Sequence, residues 1–312
     1  MMVQRHWLFV LVLLAGSAHG ESLESQIKRL DEGGYTSRIA GLALDPAIAE
    51  ISGLAVSRRA RERLWAINDS DNGNLLHAIS DSGKLLGSYP VEGAENHDWE
   101  DLAAFERNGE AWLLIADTGD NGGLRKEIEL IAVREPDPQA APGSVPVAWK
   151  LRVRWPDGPR DCEAVMVDPQ AGEILLLAKK RVPAQLFRVP LPVGDGAPKD
   201  EVAVQIGQIT GLPQPTDDDL ARAPVGARYM SQITAGDLSS DGHRMAVLTY
   251  REAYLYSRAS GEAWRSALVR PPKRLGMPPL VQAEAIAFDR AGRTLWISTE
   301  RLPAPLIRLD PK

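Results

Sequence analysis

The chain has 312 residues, with 36 Lys and Arg against 42 Asp and Glu, 44% apolar residues and one cysteine. This composition is typical of a folded, mildly acidic protein and excludes collagen-like, low-complexity and disulfide-rich classes. The acidic balance also argues against nucleic acid as a partner.

The first 20 residues have the pattern of a signal peptide. Arg5 and His6 precede an apolar run over residues 7–15, and the small-residue site 18–20 follows it. This run is too short for a transmembrane helix. We therefore expect export to the periplasm or beyond, no membrane span after cleavage, and one domain over residues 21–312. The lone Cys162 cannot form an internal disulfide, so core packing or a metal must stabilise the exported protein.

A repeated pair of short apolar strands runs through the rest of the chain, which predicts an all-β fold. The first strand of the pair recurs at residues 50–56, 98–104, 161–167, 232–238 and 282–288. The third residues of these strands are Ser52, Glu100, Glu163, Thr234 and Glu284. They lie on average about 58 residues apart, so the 292 residues after the signal have room for five units.

Four-stranded units repeated around an axis form a β-propeller, which leaves few exposed sheet edges. The last unit reaches the end of the chain without a fourth strand, whereas the strand-like segment 37–44 belongs to no unit. The sequence therefore predicts a five-bladed β-propeller whose last blade is closed by the N-terminal strand. Segments rich in Pro, Gly and Asp at 136–144, 193–200 and 213–228 indicate loops.

The third residues of the first strands predict a metal site. The first strand of each propeller blade lines the axis, so Glu100, Glu163 and Glu284 should converge there with Ser52 and Thr234. Converging carboxylates need a proton or a cation to neutralise them. An oxygen-only ligand set suits one axial Ca²⁺ better than Mg²⁺ or Zn²⁺. The alternative is that these glutamates are ordinary surface residues at strand starts.

The ends of the second strands predict a charged mouth of the channel. Asp69, Asp117, Lys179, Arg251 and Glu300 end these strands, and Asp120 and Arg181 follow closely. Lys179, Arg181, Arg251 and Glu300 would bind a small anionic substrate, and Asp69, Asp117 or Asp120 would orient water. The same charges could instead form a salt-bridged plug.

Several phrases resemble a group of secreted bacterial propellers described as phytase-like or esterase-like. The most specific are Asp-Trp-Glu-Asp at 98–101 and Asp-Thr-Gly-Asp-Asn at 117–121. A weaker resemblance is to the soluble calcium-activated nucleotidases (apyrases), five-bladed propellers with one axial calcium. Their ring of Ser, Glu, Glu, Ser and Glu is similar in order to Ser52, Glu100, Glu163, Thr234 and Glu284. The resemblance implies the calcium site and not the nucleotidase activity.

Two functions follow from these patterns. The first is a calcium-dependent hydrolase of small phosphate or carboxyl esters. The second is a non-catalytic binding or assembly propeller, with a structural axial calcium and an unknown protein partner. The chain has no Gly-x-Ser-x-Gly elbow, no phosphate-binding Gly-Lys-Ser/Thr loop and no His-Glu-x-x-His pair, which disfavours serine-nucleophile, nucleotide-switch and zinc-protease mechanisms.

Overall fold

The computed structural model of the protein describes residues 30, 32–194, 196 and 199–312, so the predicted signal peptide at residues 1–20 lies outside the described residues. Strands account for 49% of the structure and helices for 6%, which confirms the all-β prediction. The helices that lie entirely within the described residues are α1 (Asp217–Arg222), α2 (Trp264–Ala267) and the 3-10 turns Pro46–Ile48 and Gly226–Tyr229. In the described ranges, no helix has the length and apolar character needed to cross a bilayer.

Twenty of the 21 strands in the described residues form five antiparallel meanders of four strands each. The first meander contains β2 (Ile51–Val56), β3 (Arg63–Asn68), β4 (Leu75–Ser80) and β5 (Leu85–Glu92). The second contains β6 (Trp99–Arg107), β7 (Glu110–Asp117), β8 (Ile128–Arg134) and β9 (Val145–Arg154). The third contains β10 (Cys162–Asp168), β11 (Glu173–Ala178), β12 (Ala184–Pro190) and β14 (Val204–Ile209). The fourth contains β15 (Ile233–Leu238), β16 (Arg244–Thr249), β17 (Ala253–Ser257) and β18 (Lys273–Leu275). The fifth contains β19 (Ala283–Phe288), β20 (Leu295–Thr299), β21 (Ala304–Pro311) and β1 (Tyr35–Ala43).

The last meander takes its fourth strand from the N-terminal part of the chain. Strand β1 pairs antiparallel with β21 from Tyr35, opposite Pro311, to Ala43, opposite Ala304. This pairing satisfies the backbone groups along an edge that would otherwise be open. It also ties the beginning of the described chain to its end.

The first two meanders are additionally joined to each other. Val91 and Glu92 at the end of β5 pair in parallel with Val145 and Pro146 at the start of β9. Strand β13 (Lys199–Val202) pairs in parallel with the other end of β9. The first two meanders and β13 therefore form one nine-stranded sheet, and each of the other meanders is a separate four-stranded sheet.

The hydrophobic core is divided into five clusters. Four of them lie between meanders that follow one another in the chain, and the fifth lies between the last meander and the first. Tryptophans fill much of this space, and the buried ones include Trp65, Trp99, Trp112, Trp155 and Trp296. Burying one large apolar side chain contributes about 1.5–3 kcal/mol. Packing between meanders can therefore hold the fold without disulfides.

The first strands of the meanders lie side by side. In order, β2, β6, β10, β15 and β19 contact one another, and β19 contacts β2. Buried aspartates connect them, since Asp101 accepts hydrogen bonds from the backbone nitrogens of Val165 at 2.8 Å and Gly236 at 3.4 Å. Asp237 likewise accepts one from Phe288 at 2.7 Å. These side chains fix the relative positions of the strands that carry the predicted metal ligands.

Arg58 is a buried cation in the turn after β2. Its Nη2 donates to the carbonyl of Ala104 at 2.8 Å, and its backbone nitrogen donates to Glu135 Oε2 at 2.9 Å. The positive charge of Arg58 also acts on Asp237. Arg58 therefore links the turn of the first meander to the inner strand of the second.

Candidate metal centre and its mouth

Each of the five first strands has a β-bulge at the predicted ligand position. Its pairing with the second strand skips one residue, and the skipped residues are Ser52, Glu100, Glu163, Thr234 and Glu284. A bulge re-aims the side chain of the extra residue. The five predicted positions are therefore structurally equivalent.

Two overlapping groups of carboxylates lie at these bulges. Glu100, Asp161 and Glu163 form the inner trio, in which all three residues are buried. Asp69, Asp98 and Glu100 form the outer trio, in which Asp69 and Asp98 are only half-buried. Within each trio one oxygen of each residue lies within 4.8 Å of the others. Glu100 belongs to both trios, so a continuous acidic centre extends from the interior towards the surface.

Sequence reasoning missed two members of this centre, Asp98 and Asp161. Each lies two residues before a bulged glutamate, in Asp98-Trp-Glu100 and Asp161-Cys-Glu163. The recurring Asp-x-Glu phrase was the available signal. The intervening Cys162 is fully buried in the cluster between the second and third meanders.

The other three predicted ligands lie around the trios. Ser52 donates its hydroxyl to the carbonyl of Trp99, and Thr234 donates to that of Ala283, both at 2.7 Å. These acceptors immediately precede Glu100 and Glu284, so the hydroxyls brace the neighbouring bulges. Glu284 belongs to neither trio, but it is close enough to Glu163 to raise the pKa of that carboxyl.

Lysine side chains neutralise part of the inner trio. Lys179 Nζ lies 2.5 Å from Glu163 Oε1, and both side chains are buried. Lys180 Nζ lies 2.9 Å from Asp161 Oδ2 and also donates to the backbone and side-chain oxygens of Asn121 at 2.9 Å. The Lys179 ammonium also lies 5.3 Å from the centre of the Tyr250 ring, within cation–π range. Lys179, which the sequence predicts as a substrate-binding residue, thus forms an ion pair with the acidic centre itself.

Burial raises the pKa values of the acidic centre. It is the largest effect on Glu100, whose pKa is well above its usual value, and Glu163, Asp69 and Asp98 raise it further. Burial also raises the pKa of Glu163, against the opposing effect of Lys179. The pKa of Asp98 is raised to about 6 by burial and then by Asp69 and Asp161. Burial followed by Glu300 raises the pKa of Glu284 to about 7. A cation at this centre would favour the ionised carboxylates.

Two of the predicted water-orienting acids are held by the loop after β7. Asp117 is buried, with its Oδ1 2.8 Å from Arg125 Nη1 and its Oδ2 3.1 Å from His97 Nδ1. Asp120 accepts from the backbone nitrogens of Leu124 at 2.7 Å and Arg125 at 3.1 Å. These bonds define the turn. Asp69 is the one predicted acid of the three that belongs to a carboxylate trio.

The strand register identifies the residues that follow the second strands at equivalent positions. Each of them stands opposite the first-strand residue that precedes the bulged residue by two positions. They are Asp69, Thr118, Lys179, Tyr250 and Glu300. Asp117 and Arg251 are each offset by one residue from this set. Arg251 Nη1 instead lies 3.1 Å from Asp219 Oδ2. The exposed Arg181 lines a pocket together with Lys179. Two of the predicted anion-binding residues, Lys179 and Arg181, therefore share a pocket, and Arg251 is paired elsewhere.

An open pocket of about 370 Å³ adjoins the acidic centre. Its lining includes Lys179, Lys180 and Tyr250, together with Tyr229 from the segment between β14 and β15. Lys179 faces this pocket and also contacts Glu163 of the inner trio. A small anion bound in the pocket would therefore lie beside the carboxylates.

The donor set fits a hard divalent cation, because the trios supply only carboxylate oxygens. Glu100 is 7% exposed, and its carboxylate makes no hydrogen bond or ion pair with any described residue. Gly119 packs against it, since a Cβ at Gly119 would overlap the carboxylates of Glu100 and Asp98. The centre thus has a carboxylate without a protein partner in the described part of the chain, and a side chain at position 119 would not fit beside it. Comparisons of the chain with protein-family models and with curated proteins find no match.

Proposed function

We propose that the chain is an exported five-bladed β-propeller that binds one axial Ca²⁺ and hydrolyses small phosphate or carboxyl esters. Three observations support the five-bladed arrangement. Five meanders have the same strand order, their first strands contact one another in a closed series, and hydrophobic clusters separate every neighbouring pair. In this fold β1 closes the last blade.

The inner trio supports the position of the ion, and Ser52, Thr234 and Glu284 occupy the equivalent bulges of the other three first strands. Ca²⁺ accepts six to eight oxygen ligands in flexible geometry, which suits several carboxylates on separate strands. Mg²⁺ demands stricter octahedral geometry, and Zn²⁺ favours nitrogen or sulfur ligands. The single observation that carries the hydrolase proposal is that Lys179 is shared between the inner trio and the mouth pocket.

This chain's residues would divide the work of hydrolysis. Lys179 and Lys180 would balance the negative charge of the bound ester, and Tyr250 would offer its hydroxyl as a hydrogen-bond donor. Bound Ca²⁺ would supply Lewis-acid catalysis.

The test compares turnover of phenyl phosphate and phenyl acetate before and after chelation. Turnover of either ester should be lost with the chelator, restored by Ca²⁺, and lost in Glu163→Gln. The matched control is Glu173→Gln at the opposite end of the same strand pair, where the glutamate pairs with Arg188. Turnover that resists both chelation and Glu163→Gln would refute the proposal.

A second candidate function is a binding or assembly propeller with a structural calcium and a protein partner. The observation that favours it is the use of Asp117, Asp120 and Lys179 in internal bonds. In that case Ca²⁺ removal lowers the melting temperature, and neither ester is turned over at any calcium concentration.

Export is proposed on the sequence pattern of residues 1–20. Expression of the full chain in a Gram-negative host should place it in the periplasm or the medium, with a mature N-terminus at Glu21. Intact-mass measurement of the purified protein checks this cleavage, and retention of the first 20 residues would contradict it.

A further inference from the structure

The two carboxylate trios differ in how their charge is balanced. Lys179 and Lys180 contact Glu163 and Asp161 of the inner trio. In the described residues, no lysine, arginine or histidine forms an ion pair with Asp69, Asp98 or Glu100 of the outer trio. The nearby Arg125 is used elsewhere, since its Nη1 lies 2.8 Å from Asp117 Oδ1 and 2.8 Å from the Gly119 carbonyl. The outer trio is therefore the less compensated of the two.

The outer trio also contains the free ligand of the site. Glu100 is 7% exposed and has no hydrogen-bond or ion-pair partner among the described residues, although its carboxylate points into both trios. A buried carboxylate without a partner is strongly unfavourable unless a cation compensates it. One ion held by the inner trio would leave Asp69 and Asp98 close together, with Arg125, which is paired to Asp117, as the one cation within the described ranges that acts on Asp98.

From this charge imbalance and the unpartnered Glu100, we infer that the protein binds a second divalent cation between Asp69, Asp98 and Glu100, with Glu100 shared between the two ions. This inference rests on the proposed function, because the inner trio must hold the first ion. Asp69 and Asp98 are half-exposed, so the second ion is accessible from solvent. Pairs of divalent cations suit the displacement of phosphate esters, because they stabilise charge on both the attacking and leaving oxygens. The preferred substrate class is therefore the phosphate ester.

Stoichiometry of Ca²⁺ binding tests the inference without any assay of activity. Chelator-treated protein is dialysed against radioactive Ca²⁺ at saturating concentration, and bound ions per chain are counted. The full chain should bind two ions. Asp98→Asn and Asp69→Asn should each bind one, and Asp161→Asn should keep the ion of the outer trio. The control Asp218→Asn, an exposed acid of α1, should still bind two.

The outcomes separate this inference from the proposed function. One ion per chain, kept in Asp98→Asn and lost in Glu163→Gln, overturns the second ion and leaves the axial site standing. No bound ion refutes both. Two ions in Asp98→Asn also overturn the inference. Circular dichroism of each variant establishes that it is folded, and the stoichiometry of the unmodified chain is decisive by itself if a variant fails to fold.

Discussion

Removing the Lys179 ammonium perturbs the electrostatics of the site with little change in shape. Lys179→Met keeps an unbranched side chain and deletes the charge that lies 2.5 Å from Glu163 Oε1. Removing one partner of a buried ion pair costs about 3–5 kcal/mol, because the other charge is left unpaired. Glu163 can reduce this cost by taking up a proton, since burial already raises its pKa. We therefore expect a loss of about 3 kcal/mol in the free energy of unfolding of the metal-free protein.

Thermal unfolding by circular dichroism measures this loss. With an unfolding entropy of about 2.1 cal/mol/K per residue, a change of 1 kcal/mol shifts the melting temperature of about 280 folded residues by about 1.7 °C, so we expect a fall of about 5 °C in chelator. Saturating Ca²⁺ should stabilise Lys179→Met more than the unmodified chain, because the ion replaces the missing positive charge. The control Arg188→Met breaks an exposed pair with Glu173 and should cost at most about 1 kcal/mol.

Two results would refute this reasoning. Equal melting temperatures for Lys179→Met and Arg188→Met in chelator would mean that the buried pair contributes no more than a surface pair. A Ca²⁺-induced shift no larger in Lys179→Met than in the unmodified chain would mean that the ammonium and the ion do not act on the same carboxylate.

Three further predictions concern other parts of the structure. Gly119→Ala should weaken Ca²⁺ binding at least about tenfold in calorimetry, because the added Cβ would overlap the Glu100 carboxylate. The control Gly122→Ala in the same loop should keep its Ca²⁺ affinity, because the added Cβ meets only the Leu124 side chain. Equal affinities of the two variants would contradict this prediction. Arg58→Met should lower the free energy of unfolding, measured in urea, by about 3 kcal/mol, because the side chain is buried and its hydrogen bond to Ala104 is lost. Its Ca²⁺ affinity should not change, because Arg58 belongs to neither carboxylate trio. A change in Ca²⁺ affinity without a change in stability would contradict this prediction. Burial raises the pKa of Asp237 to about 6, so the folded state holds this proton more tightly than the unfolded state. The free energy of unfolding of the metal-free protein should therefore fall by on the order of 3 kcal/mol from this group as the pH rises from about 4 to 6. Urea unfolding at several pH values should show a smaller fall in Asp237→Asn, and an unchanged slope would contradict the assignment.

The repeat in the sequence was sufficient to predict that five first-strand positions are structurally equivalent. Each first strand has a polar or acidic residue at its third position, and in every case that residue is the one skipped by the strand pairing. Polarity at one register position inside an otherwise apolar strand is visible without coordinates. Asp98 and Asp161 were missed because they precede the strands, where acids are common in turns and need no special explanation.

The charged ends of the second strands were less predictable. The sequence predicts Asp117 and Arg251 as the charged ends of their second strands. In the strand register, however, Thr118 and Tyr250 are the residues that occupy the positions equivalent to Asp69, Lys179 and Glu300. A one-residue offset depends on bulges, which hydrophobic patterning does not reveal. The direction of the long Lys179 side chain is likewise set by its pairing with Glu163, which is close in space and 16 residues away in the chain.

The central claim is that carboxylates from separate first strands hold a calcium ion together. Anomalous diffraction from a crystal saturated with Ca²⁺ tests it most directly. We predict an anomalous peak within about 2.3–2.6 Å of carboxylate oxygens from both Glu100 and Glu163. A saturated crystal with no peak between these two residues would contradict the account.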